Sequence, residues 1–313
     1  MGTPTKSLWW DAALSTMWAV KRFEHLPDFV TAARQIGFRQ FELNHQIDSR
    51  MLAELDYNHL TITAVHEPCP ADIPTSELKS RDWLLSAIQE DNRHQGLKAI
   101  LRSVDLAQKV GARFVIVHLG TVLLKPQWED DLRRLYNTQW IDSAQAVDLR
   151  QRMVAERAAH APAHLNAVQK SLDELVEYAS QVGVCLGIEN RYHFADIPHP
   201  NEMEMLLRDY TPDQVCFWYD SGHAQALDRL GFFSHETWLQ CFVGRMRGMH
   251  LHDVRGIVDH FTPGIGELDW TMVARYAPDD ALRTLELKPE NSPEEVVLGM
   301  QRLVEMGIVQ PLG

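Results

Sequence analysis

The sequence predicts a single-domain α/β protein, a (β/α)8 barrel of the TIM type spanning residues 1–313. Three observations carry this expectation. Eight short apolar or alternating runs punctuate the chain, each followed by an amphipathic helical stretch or a loop, the pattern of a parallel sheet wrapped by helices. Seven of the eight runs finish, within a residue or two, on a side chain able to bind metal or move a proton: Glu42, His66, His118, Glu189, Asp220, His250 and Glu286. The length, 313 residues of which 45% are hydrophobic, is enough for one large core.

Taken in order, Leu8–Leu14 is a weak first strand, and Pro27–Gly37 is a helix ended by its glycine. Phe38–Asn44 alternates and closes on Glu42 and Asn44. Leu60–Val65 is rich in β-branched residues and runs into His66-Glu67-Pro68. Asn92–Val110 carries Leu97, Ile100, Leu101, Val104 and Leu106 near helical spacing, with Gly111 as its stop. Phe114–Val117 is wholly apolar and precedes His118. A polar stretch without strand signal follows, a partly helical insertion at about 121–162. His164–Val182 reads as a helix with Leu165, Val168, Leu172, Leu175, Val176 and Ala179 on one face. Val184–Ile188 leads to Glu189-Asn190-Arg191, and Pro200–Tyr210 is the next helix. Val215–Tyr219 is a buried strand that delivers Asp220-Ser221-Gly222-His223. Trp238–Val243 is a short helix. Met246–Leu251 ends in His250-Leu251-His252-Asp253, and residues 254–267 form a loop. Leu282–Leu287 is the last strand. Pro293–Met306 is the terminal helix, with proline at its start where a missing N–H costs little.

Composition narrows the function. The net charge is −13, and the few neighbouring arginines (Arg245, Arg247, Arg255) stand among acidic residues, so nucleic acid is disfavoured as a partner. No apolar run is long enough to span a bilayer. The N-terminus shows no convincing cleavage site, and Lys6 stands where a myristoylation signal has Ser or Thr. Cys69, Cys185, Cys216 and Cys241 form no CxxC pair and read as small buried residues of a reducing compartment. The expected location is cytoplasmic. Homo-oligomerisation is left open.

In a barrel, strands five to eight are neighbours, so Glu189, Asp220, His250 and Glu286 can meet above its axis. Three carboxylates and one imidazole suit one hard or borderline divalent metal: Mn²⁺, Mg²⁺, Co²⁺ or Zn²⁺. The competing reading makes them structural ion pairs, and Asp220 alone reads equally well as a helix cap. His252 lies two residues beyond His250 on the same face of its strand.

The segments Ile188–Asn190, Tyr219–His223, His250–Asp253, His260–Trp270 and Leu285–Pro289 resemble those of the xylose isomerase-like TIM-barrel superfamily, which holds sugar phosphate isomerases, ketose epimerases and endonuclease IV. The similarity covers most of the chain apart from Thr121–Pro162. It implies Glu189, Asp220, His250 and Glu286 as metal ligands, with the H-L-x-D pattern favouring His250 over His252. It implies Glu189 and Glu286 as the catalytic pair that moves a proton through a metal-stabilised enediolate of a small sugar or polyol-derived ketone. His66, His118, His223, His252, His260 and Arg255 are the candidates for substrate contact, and Trp270 is assigned to packing. Two departures stand out. The ketose epimerases place a second carboxylate where this chain has Ala195. The third zinc site of endonuclease IV uses Asp-x-His where this chain has Asp259-His260-Phe261. The alternatives are an endonuclease IV-like zinc phosphodiester hydrolase, or a metal-dependent dehydratase on the same barrel.

Overall fold

Eight parallel strands close on themselves in the computed structural model, which describes residues 9–312. They are β1 (Ala13–Ser15), β2 (Gln40–Leu43), β3 (Thr61–His66), β4 (Phe114–Val117), β5 (Cys185–Glu189), β6 (Val215–Asp220), β7 (Met246–Leu251) and β8 (Leu282–Leu285). Each pairs with the next, and β8 returns to β1. The main helices are α1 (Leu26–Gln35), α2 (Glu90–Val110), α3 (Pro126–Asn137), α4 (Ala144–Gln181), α5 (Pro200–Leu207), α6 (Ser221–Arg229), α7 (His235–Phe242), α8 (Trp270–Tyr276) and α9 (Pro293–Glu305). Gly111 ends α2 in the left-handed conformation, φ +74°, which a residue with a Cβ adopts at a cost.

The period of two along each strand explains why the strand-end residues meet. Phe114, Ile116, Cys185, Cys216 and Trp218 form one buried cluster, whereas the alternate residues Val115, Val117, Leu186, Phe217 and Tyr219 join the larger core with the helices. His118, Glu189 and Asp220 continue the first set, so they share its inward direction. Trp218 supports this interior: a Cβ on Gly187 or Gly248 of the flanking strands would lie 2.9 Å or 2.2 Å from its ring. Its ring also meets His250 edge-on, with centroids 5.6 Å apart. The register sets Asp220 beside His250, and His250 beside Thr284, two residues before Glu286.

Three segments differ from expectation. The first strand is shorter than Leu8–Leu14: Leu8 lies outside the described residues, Trp9–Trp10 pair antiparallel with Pro311–Leu312, and only Ala13–Ser15 enters the barrel. Residues 254–267 are more than a loop. Asp253–Arg255 and Val258–Phe261 form an antiparallel hairpin, hidden in the sequence because its strands lack apolar alternation. The helix expected from His164 begins at Ala144 and runs 38 residues with Pro162 inside it. Its buried face continues through Leu149, Met153, Arg157, Ala161 and His164. Arg157, buried and charged, masked that periodicity: its Nη2 donates to Glu202 Oε2 at 2.9 Å and to the Asp196 carbonyl at 3.0 Å.

The stretch 121–162 has its own small core. Leu132, Ala146, Leu149 and Met153 pack with Phe194, Leu227, Leu230 and Ile257, residues that follow β5, β6 and β7. Glu129 on α3 accepts the Phe194 N–H at 3.1 Å, and Arg133 lies 4.2 Å over the Tyr192 ring. The insertion therefore clamps the loop that follows Glu189.

Candidate metal centre and active site

The strand ends bring Glu189, Asp220, His250 and Glu286 together in the barrel mouth, all buried, with one donor atom from each within 4.8 Å of the others. The convergence point is His250 Nδ1. Glu189 Oε1 lies 2.7 Å from it, Glu286 Oε2 3.4 Å and Asp220 Oδ2 3.6 Å. One ring nitrogen carries at most one proton and can satisfy one carboxylate. Arg191, His66 and His252 also neighbour Glu189, Glu286 and Asp220, and three carboxylate oxygens converging with one imidazole nitrogen are a donor set that a divalent ion takes. The residues present thus fit a metal.

Burial alone would raise the pKa of Glu189, but Arg191 and the surrounding histidines outweigh it and hold the carboxyl well below the usual range. Burial is likewise outweighed at Asp220 by His223 and His252, and at Glu286 by His250 and His66. Asp220 serves two ends at once. Its Oδ1 caps α6 by accepting the His223 N–H at 2.7 Å, and its Oδ2 faces the centre. The cap and ligand readings of this residue are therefore compatible. The Gly222 of this turn has a steric reason, since a Cβ there would lie 2.2 Å from the His252 ring.

The two histidines of β7 are not equivalent. His252 Nδ1 accepts the backbone N–H of His260 at 3.0 Å, so its proton sits on Nε2 and is given to Asp220 Oδ2 at 2.9 Å. Both its nitrogens are engaged, and it orients Asp220. His250 Nε2 instead faces Glu42 Oε2 at 3.0 Å, leaving Nδ1 toward the three carboxylates.

The remaining histidines flank the two glutamates. His66 Nδ1 lies 3.2 Å from Glu286 Oε1, and His66 Nε2 lies 2.7 Å from His118 Nε2. His118 Nε2 is 3.4 Å from Glu189 Oε2, and burial together with Arg191 keeps its pKa well below the ordinary value, so it is neutral. His223 Nδ1 hydrogen-bonds the Asn190 carbonyl at 3.0 Å and lies 3.7 Å from Glu189 Oε2. His260 is held at φ +60°, a strained value for a residue with a side chain, and its Nδ1 donates to the Glu286 carbonyl at 3.0 Å. Arg255 is not brought to this group. It is exposed, donates to the Ile265 carbonyl, stacks on Phe261 and lines a separate cavity with Lys288. Trp270 is buried as expected and also donates from Nε1 to Asp253 Oδ2 at 3.0 Å.

Several participants carry no assignment from the sequence. Glu42 is visible there only as a strand end, and Asn44 donates to Glu286 Oε1 at 2.8 Å. Arg191 pairs with Glu189 Oε2. Asp259 meets His223 and His260, the three forming a further donor cluster within 4.8 Å. The adjacent Asp259-His260 pair thus reaches a convergence that the Asp-x-His spacing does not suggest. Arg191 carries one usable signal, its place two residues after Glu189. Over the centre lies a cavity of about 310 Å³, lined by His45, His66, His118, Arg191, Tyr192, His223, Asp259, His260 and Glu286 among others. A larger groove of about 690 Å³ runs between α4 and α5 and contains none of the candidate residues. Among the described residues, no helix is long and apolar enough to cross a membrane.

A closed eight-stranded parallel barrel with an acid- and histidine-rich C-terminal mouth defines the class. The chain belongs to the xylose isomerase-like TIM barrel family, whose model matches residues 30–296. Solved structures share the fold. A D-tagatose 3-epimerase-like protein has a TM-score of 0.65 at 17% identity, covering 94% of this chain and 96% of its own. The 3-keto-D-glucoside 4-epimerase of E. coli has 0.63 at 14%, covering 94% and 99%. A Thermus thermophilus protein soaked with ZnCl2 has 0.58 at 21%, covering 94% and 98%. No curated protein matches the chain by sequence.

Proposed function

We propose that the protein is a metal-dependent isomerase or epimerase of a small sugar or sugar-derived ketone. One divalent ion (Mn, Mg, Co or Zn) would be held by Glu189, Asp220, His250 and Glu286. The observation that carries the reading is the convergence of three carboxylates on one imidazole nitrogen, beneath a cavity of about 310 Å³, near the low end of small-ligand sites. Bound there, the ion would supply Lewis acidity to neighbouring hydroxyl and carbonyl oxygens, making the C–H between them more acidic. Glu189 and Glu286 reach the centre from the ends of β5 and β8; one, ionised, would take the proton from the substrate carbon, and the other, entering in its protonated form, would deliver one to it. Each has its own imidazoles. His118 and His223 flank Glu189, and His66 and His260 flank Glu286, positioned to hold hydroxyls. Delivery of the second glutamate's proton to the opposite face gives an epimer, and return of the abstracted proton to the neighbouring carbon gives an aldose–ketose isomer. The epimerases among the solved structures of the same fold support this reading.

The test is solvent-deuterium incorporation across a panel of ketoses. The wild type should exchange a carbon-bound proton of one of them, and Glu189→Gln should abolish that exchange. Retained exchange in the variant would count against Glu189 as ligand and base. A second reading, a zinc phosphodiester hydrolase, is favoured by two further donor clusters, His66–His118–Glu189 and His223–Asp259–His260. It predicts two or three zinc ions per chain and cleavage of abasic DNA.

A further inference from the structure

Glu42 closes β2, is wholly buried, and is not one of the four proposed ligands. Its Oε2 lies 3.0 Å from His250 Nε2, across 208 positions of sequence. The other nitrogen of that ring, Nδ1, is the one that Glu189, Glu286 and Asp220 approach. A neutral imidazole carries one proton, and the nitrogen that binds a metal must carry none. Both nitrogens face carboxylates here, Nδ1 at 2.7 Å from Glu189 and Nε2 at 3.0 Å from Glu42; once Nδ1 gives up its proton to an ion among the three carboxylates, Glu42 accepts the one that remains on Nε2. The ring plane is fixed as well. His66 stacks on one side with centroids 5.1 Å apart, and Trp218 meets it edge-on at 5.6 Å.

We infer that Glu42 is a positioning residue, which sets the tautomer and orientation of His250 for a divalent ion. This rests on the proposed ion at Glu189, Asp220, His250 and Glu286. Glu42 Oε1 has no hydrogen-bond partner and lies 3.9 Å from His66 Nδ1, so Oε2 carries the function. The same strand end treats a second proposed ligand alike: Asn44 donates to Glu286 Oε1 and leaves Oε2 toward the centre. β2 thus holds two ligands in place from across the barrel without supplying one.

The experiment uses zinc as the probe, with affinity measured by chelator competition for wild type, Glu42→Gln and Glu42→Leu. Losing the acceptor in Glu42→Leu should weaken zinc binding by roughly 10- to 100-fold, the range for such outer partners. Glu42→Gln keeps an oxygen that accepts the Nε2–H and should lose much less. Long-range ¹H–¹⁵N spectra of the zinc-loaded wild type should show His250 metal-bound at Nδ1 and protonated at Nε2, a readout independent of any variant's folding. Zinc affinity in Glu42→Leu within twofold of wild type, or His250 bound through Nε2, overturns the inference. A wild type that binds no zinc, manganese, magnesium or cobalt overturns the reading it rests on.

Discussion

The distinction between His250 and His252 rests on what each ring nitrogen faces. His252 spends both nitrogens, on the His260 N–H and on Asp220, whereas His250 keeps Nδ1 for the carboxylates. His250→Gln should therefore reduce metal binding below detection in a titration, while His252→Gln, which only loosens Asp220, should weaken it about 10-fold. Equal losses in the two variants would undo the assignment. His235 gives a pH prediction away from the centre. It is buried against Tyr219, whose hydroxyl lies 2.6 Å from Nε2, and burial pushes its pKa down to about 4. Between that value and the unfolded value of about 6.5, the unfolded chain binds the proton more tightly, so acidification through this window destabilises the fold. Unfolding free energies at pH 7 and pH 5 should converge by about 2 kcal/mol in His235→Gln relative to wild type. Ligand-type residues were legible in sequence because strand ends mark where a barrel places them. Glu42 was not assigned a role, because its partner is 208 positions away and only barrel closure makes them neighbours.

At the scale of elements, the strands were easier to read than the helices around the insertion. An apolar run before an acid or histidine is a local signal, and seven of the eight strands end as that signal implied. Helix α4 was legible only from His164 onward because Arg157 interrupts its apolar face and Pro162, exposed within the helix, reads as a breaker. The structure explains the arginine by its buried partner Glu202 at the start of α5. Replacing one member of such a pair strands the other charge. Arg157→Met should cost ~3–5 kcal/mol in urea unfolding. A change within experimental error would show that Glu202 finds another partner. The post-β7 hairpin was missed for a different reason. Asp253 organises it through tertiary contacts, accepting from the N–H groups of Val254, Leu268 and Gly264, and no short-range pattern records that.

At the scale of the molecule, closure of the barrel turns separate sequence signals into one centre. The inward parity of His118, Glu189 and Asp220, the neighbouring register of Asp220 and His250, and the glycine-made space for Trp218 all serve the same mouth. The insertion packs on Phe194, Leu227, Leu230 and Ile257 and braces the segment after β5, whose Arg191 and Tyr192 line that mouth. The whole arrangement aims three buried carboxylate oxygens at one imidazole nitrogen, and that donor set is the reason to place an ion there. The most direct measurement is metal content per chain by mass spectrometry, on protein purified without chelator and after reconstitution with Mn, Mg, Co or Zn. The wild type should carry one divalent ion per chain, and Asp220→Asn should lose it. No bound metal in the wild type, or two to three zinc ions per chain with cleavage of abasic DNA, would contradict the single-ion centre.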